Sequence, residues 1–134
     1  MLRPKFAKIR GSSVLILFIA LTGCTSAPPE HKENICKIFS EKNGWYKDAK
    51  KSSRRWGTDI TVMMSMMHQE SSFIARARPP RTKILWVLPG PRPASAYGFA
   101  QATNDTWRAY QRATGRGGAD RNKFDDAIDF IGWY

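Results

Sequence analysis

A chain of 134 residues fits a single domain once any targeting segment is removed. With 42% hydrophobic and 12% aromatic residues it holds enough apolar material for a modest core, which excludes an intrinsically disordered chain. The formal charge of +11 favours a polyanionic partner (nucleic acid, anionic lipid or an anionic wall polymer) without choosing among them. Four of the 22 basic residues, Arg3, Lys5, Lys8 and Arg10, precede residue 24. The remaining 18 face 11 acidic residues, so the excess belongs mainly to the domain itself.

The chain opens on a basic stretch, Met1–Arg10, followed by the compact apolar run Val14–Leu21, VLILFIAL. That run falls well short of the roughly 20 residues a membrane-spanning helix needs, so the pairing reads as an export signal. Leu21-Thr22-Gly23-Cys24 then resembles the bacterial lipobox, in which small residues admit the peptidase and the Cys thiol takes a diacylglyceryl group. The resemblance implies a lipoprotein signal peptide over 1–23, with Cys24 as the lipid attachment point that holds the mature chain on a membrane. Residues 24–32, with Pro28 and Pro29, form a tether. Thr25 in place of Asp implies, in a cell with two membranes, the periplasmic face of the outer one. With Cys24 acylated, Cys36 has no disulfide partner. Its position beside Ile35 and Phe39 predicts a small buried hydrophobe. Two Cys and two His at these spacings form no metal site, and no cofactor is expected.

From residue 33 onward the pattern is mainly helical. Ile35, Ile38 and Phe39 at i, i+3 and i+4 predict a first helix from near Glu33, closed by Gly44. A second helix is predicted over Trp45–Arg55, with Trp45, Tyr46 and Ala49 inward, Lys47, Lys50 and Lys51 outward, and Gly57 at its end. Thr58 or Asp59 caps a third, in which Ile60–Met67 runs into His68-Gln69-Glu70. So short an apolar run is compatible with a strand, but the cap and the methionines favour helix. On that helix Met63, Met66, Met67 and Glu70 share one face. The four methionines between 63 and 67 read as core filler rather than an adaptable binding surface.

Residues 76–93 break the pattern. Five prolines and five basic residues make a long loop around the apolar piece Ile84–Leu88, a short strand or a hydrophobic flap. After Tyr97-Gly98-Phe99-Ala100-Gln101, Thr103 or Asn104 caps a helix through Ala113 with Trp107 and Tyr110 inward. Gly115 ends it, and a last helix starts near Asp125.

Glu70 is the residue that most needs a reason. A carboxylate is rarely left on a Met-lined face unless something satisfies it. Burial favours the neutral acid, the form a departing glycosidic oxygen needs. The pattern alone is equally compatible with a structural Glu at a helix end, paired to Arg76 or Arg78. The surrounding residues tip the balance. His68-Gln69-Glu70-Ser71-Ser72-Phe73 resembles the catalytic Glu-Ser motif of the lytic transglycosylase (soluble-lytic-transglycosylase-type) domain. Gly98-Phe99-Ala100-Gln101 resembles that family's downstream Gly-Leu-Met-Gln motif, in the family's order.

The resemblance implies a mainly α, lysozyme-like domain over 33–134, with the Pro-rich loop 76–93 and a short β segment as additions. It implies peptidoglycan lytic transglycosylase activity. Glu70 would protonate the oxygen between N-acetylmuramic acid and N-acetylglucosamine, then act as base on the muramyl 6-hydroxyl, leaving a 1,6-anhydro product. One carboxylate then suffices where glycoside hydrolases use two. Ser71, Tyr97, Gly98 and Gln101 would bind the sugars; read alone, Ser71 equally ends the helix and Tyr97 equally belongs to the core. The implied partners are glycan strands and, through Cys24, a membrane, with no nucleic acid, for a monomer in the cell envelope. The basic loop lengthens the gap between the two motifs and is expected to grip anionic peptide stems or muramyl carboxylates. The family also places an Asn-Ile-containing helix and a late Tyr in its last third. Asp125–Tyr134 looks like the start of that helix, so the domain reads as incomplete. The alternative reading is a catalytically impaired lipoprotein that only binds glycan or other wall components.

Overall fold

The structure, a computed structural model, describes residues 27–134; the export signal and Cys24 lie outside the described residues. Helices form where caps and apolar spacing agree. They are α1 (Ile35–Glu41), α2 (Trp45–Trp56), α3 (Ile60–Ser71), α4 (Asn104–Thr114) and α5 (Phe124–Trp133). The Asn34 side chain accepts from the Lys37 N–H, Asp59 from Thr61 and Thr103 from Thr106. Each satisfies a backbone donor that a helix start leaves unpaired. Gly57 and Gly115 close α2 and α4 at φ 78° and 70°, where a side chain would be strained. Between α3 and α4, β1 (Lys83–Ile84) and β2 (Leu88–Pro89) pair antiparallel, with Lys83 opposite Pro89 and Ile84 opposite Leu88. The apolar piece of the Pro-rich loop is therefore a small hairpin.

The other helices are built on α5, in which Phe124 and every residue from Asp126 to Gly132 is buried. It packs most extensively on α2, and also on α3 and α4. Gly132 permits the close approach: an added Cβ would lie 2.5 Å from Ser52 Oγ and 2.8 Å from the Trp56 ring. Ser52 is itself fixed, donating to the Ile128 carbonyl at 2.9 Å. Gly132→Ala is accordingly expected to destabilise the domain. Overpacking against two immobile groups costs up to about 3 kcal/mol, more than the roughly 1 kcal/mol recovered in helix propensity. A lower urea midpoint with an unchanged slope is the readout.

Two aromatic clusters organise the interior. Trp45 stacks on Phe124 at 3.9 Å between ring centroids and meets Phe99 edge-on and Phe73 at a tilt. That cluster joins α2, α5, the turn after α3 and the Gly98 loop. The second gathers Trp107, Tyr110, Phe130 and Trp133 between α4 and α5. Beside it lies buried Asp129, which accepts from Tyr110 Oη (2.7 Å), Arg116 (2.7 Å), Trp56 Nε1 (3.1 Å) and Arg55 (3.3 Å). Arg116 also reaches buried Asp126 at 2.6 Å. Burial would push the Asp129 carboxyl up. The hydrogen bonds from Tyr110, Trp56 and Arg116 outweigh it and hold the group below the ordinary carboxylate range.

Two inward expectations are corrected. Cys36 is exposed, one position round the helix from the stripe of Ile35, Ile38 and Phe39, whose only buried member is Ile38. Tyr46 is also exposed, its ring edge-on to Phe39 and under the Lys50 ammonium. The buried line of α2 is instead Trp45, Ala49 and Ser52, at i, i+4 and i+7.

Candidate active site

The face of α3 that points inward carries Met63, Met67 and Ser71 at i, i+4 and i+8, with Met64 beside them. Met66 and Glu70 stand one position round, again four apart, and are exposed. This corrects the expected single Met-lined face. Glu70 is not buried among methionines, and only Met66 accompanies it. Among the described residues Glu70 makes no ion pair. The arginines expected to pair with it are engaged elsewhere: the Arg78 guanidinium lies 4.2 Å over the Tyr97 ring, and Arg76 borders a different cleft.

No Gly or Pro ends α3. Ser72 and Phe73 take left-handed φ values of 49° and 61°, each of which costs a non-glycine residue of order 1–3 kcal/mol. Burial of Phe73 offsets the strain: its ring stacks on His68 at 5.5 Å and packs on Trp45. The abrupt stop leaves Glu70 at an open helix end. Ser71 is turned inward, buried, its hydroxyl donating to the Met67 carbonyl at 3.2 Å.

The second motif is a loop pinned from behind. Gly98 N–H donates to the Ala77 carbonyl, and Phe99 N–H to that of Arg121. A Cβ on Gly98 would lie 2.1 Å from the Arg121 oxygen, and its φ of 81° is itself left-handed, so both close approach and conformation require glycine. The Arg121 guanidinium clamps the loop further, donating to the carbonyls of Ala102 and Ser95 and to Asn104 Oδ1. Gln101, at φ 47°, donates from Nε2 to the Ala77 and Gly98 carbonyls at 2.9 and 2.8 Å. Both amide hydrogens are thereby used, leaving the side-chain oxygen as the atom that can accept from a ligand.

These elements enclose a groove of about 190 Å³ lined by Met66 and Glu70 of α3, Ala100, Gln101, Ala102 and Thr103 of the loop, Thr106 of α4, and Phe130, Ile131 and Tyr134 at the end of the chain. Of the sequence-predicted residues, Glu70 and Gln101 meet here. Ser71, Tyr97 and Gly98 do not line the groove: Ser71 faces the core, Gly98 packs on Arg121, and Tyr97 is held between the Arg78 and Arg121 guanidiniums. Sequence reasoning missed Met66, Thr106, Phe130, Ile131 and Tyr134. Only Met66 carried a local signal, its position one turn before Glu70.

A larger cleft, about 450 Å³, lies among Trp45, Asp48, Arg76, Phe99 and Asp125. Burial and the neighbouring Asp125 charge push the Asp48 carboxyl up. Neither Glu70 nor Gln101 reaches it, so size does not make it the better candidate.

A mainly helical domain in which the Glu70 carboxyl, at a helix end, faces a glycine-pinned loop across a groove is consistent with a lysozyme-like fold. The chain belongs to the transglycosylase SLT domain family, whose model matches residues 12–134. Membership makes it a cell-envelope protein of the kind that acts on peptidoglycan. No curated protein and no solved structure matches the chain.

Proposed function

We propose that the protein is a lytic transglycosylase that cleaves the β-1,4 bond between N-acetylmuramic acid and N-acetylglucosamine, with Glu70 as acid and then base. The observation that carries this reading is the Glu70 carboxyl, without an ion pair among the described residues, facing a groove whose opposite wall presents Gln101. A glycan strand laid along the groove excludes water from the reacting atoms. The acid then gives its proton to the bridging oxygen as the C1–O bond breaks. The resulting carboxylate takes the proton of the muramyl 6-hydroxyl, whose oxygen bonds to C1. Water is not consumed, so no second carboxylate is required to activate it. Tyr134, stacked on buried Phe130, offers exposed aromatic surface for a sugar ring, and Gln101 an acceptor for its hydroxyl or amide hydrogens.

In this reading Cys24 carries the lipid, the domain works as a monomer at the periplasmic face of the outer membrane, and Ser71, Tyr97 and Gly98 support the groove from behind. Incubation of the purified full chain with peptidoglycan sacculi tests it. Soluble muropeptides ending in 1,6-anhydro-muramic acid are expected. Reducing-end products would mean hydrolysis by water, and binding without any product would favour the glycan-binding alternative.

A further inference from the structure

The hairpin between α3 and α4 is at odds with the rest of the surface. Ile84, Leu85, Trp86, Val87 and Leu88 are all exposed, with Trp86 at 91%, Val87 at 81% and Leu85 at 77%. A hairpin lying on a domain alternates, one face covered and one wet. Here the turn is apolar all round, and the described residues leave Leu85, Trp86 and Val87 almost wholly uncovered. Isolated exposed apolar residues are ordinary, but five in succession at a projecting tip are not.

The base of the hairpin is also closed by hydrogen bonds. The Thr82 N–H and hydroxyl both donate to the Pro91 carbonyl, and the Gly90 N–H donates to that of Thr82. Arg92 bonds the Pro79 carbonyl across the base. Prolines at 79, 80, 89, 91 and 93 restrict the flanks. Charge supplies the second, independent observation. No acidic residue occurs between Glu70 and Asp105, while Arg76, Arg78, Arg81, Lys83 and Arg92 all fall in that interval. Arg81 and Lys83 sit at the base of the hairpin, and Leu85, Trp86 and Val87 at its turn. At about 3.3 Å per residue, Lys83 is no more than about 10 Å from Trp86. That matches the roughly 5–10 Å by which interfacial segments bury an apolar face below the headgroups.

We infer that this hairpin is a membrane-insertion device: the Ile84–Leu88 tip enters the acyl boundary of a phospholipid bilayer, and Arg81 and Lys83 engage anionic headgroups. A bilayer fits both features together, apolar depth at the tip and negative charge one strand-length back. The inference stands on the hairpin and does not depend on the Glu70 chemistry. It assigns the basic loop to a lipid surface rather than to muramyl carboxylates.

The test uses the full chain on vesicles whose acyl chains carry bromine, which quenches tryptophan only by contact within the bilayer. Trp45 and Trp107 are buried in the core, and Trp56 and Trp133 are partly covered, so Trp86 is the indole free to reach the lipid. Wild-type emission is expected to be quenched on vesicles containing phosphatidylglycerol, and the quenched component to be missing in Trp86→Phe. This holds even where the N-terminal segment keeps both chains on the vesicle. Replacing Arg81 and Lys83 with Ser, or removing the anionic lipid, should lower the quenched fraction of Trp86 emission on the same amount of vesicles. Equal quenching in wild type and Trp86→Phe overturns the proposal. So does a Trp86 emission shift that depends on protein concentration without vesicles, which would mean a second copy of the chain, or one produced by sacculi but not by vesicles.

Discussion

Glu70→Gln is expected to reduce release of anhydro-muropeptides from sacculi by about a thousandfold or more, leaving folding stability within about 0.5 kcal/mol of wild type. The first half follows from one group doing two jobs. Acid–base assistance at a single step is worth about 10²–10⁴-fold, and here both bond breaking and ring closure use the same carboxyl. Gln keeps the shape and an acceptor oxygen but can neither give nor take the proton. The second half follows from the setting: Glu70 is exposed and has no ion pair among the described residues, so its charge supports nothing in the fold. Product yield is measured by chromatography of digests, and stability by urea titration of the same preparations. A variant that loses activity together with several kcal/mol of stability would reassign Glu70 to structure.

The largest effect on stability is expected at the opposite kind of carboxylate. Asp129→Asn should cost about 3 kcal/mol at pH 7, because removing one partner of a buried ionic network leaves the other charge uncompensated. Arg116 keeps its contact with Asp126 and is partly exposed, which places the loss at the low end of the usual range. The pH dependence has a definite sign. Asp129 is held below its ordinary value in the folded protein, so its contribution is complete above the unfolded value of about 3.9. It fades as pH falls through the lower folded value. The gap between wild type and variant should therefore be constant from pH 7 to about pH 5 and shrink below about pH 4. Urea midpoints across that series measure it. A gap that persists undiminished at pH 3 would show that shape, not charge, is what Asn fails to supply.

The helices were legible where local chemistry decides. Asp59 and Thr103 cap, Gly57 and Gly115 stop, and Trp107 with Tyr110 lie inward, all as the spacing of polar and apolar residues indicates. Tyr46, Cys36 and Glu70 show the limit of that reasoning. Adjacent helix positions differ by about 100°, and which edge of an apolar stripe is covered depends on the neighbour, not on the stripe. Asp126 and Asp129 went unexplained in the sequence because their shared cation, Arg116, lies beyond α4, and the phenol donating to Asp129, Tyr110, lies within it. Of the site, the two motifs were visible, since each is local. The groove wall from α5 was not, because Phe130, Ile131 and Tyr134 come to Glu70 only through packing across some 60 residues of chain.

The end of α3 carries a consequence for how the site is lost. Ser71-Ser72-Phe73-Ile74 holds no Gly or Pro, and where the chain leaves the helix the Phe73 ring is seated between His68 and Trp45. The position of the carboxylate at a terminus is thus a tertiary property, absent from the peptide on its own. A partly loosened state that kept its helices but released that one ring would let α3 run on past Glu70 and close the terminus over. Such a state would look nearly native by circular dichroism while having no site at all.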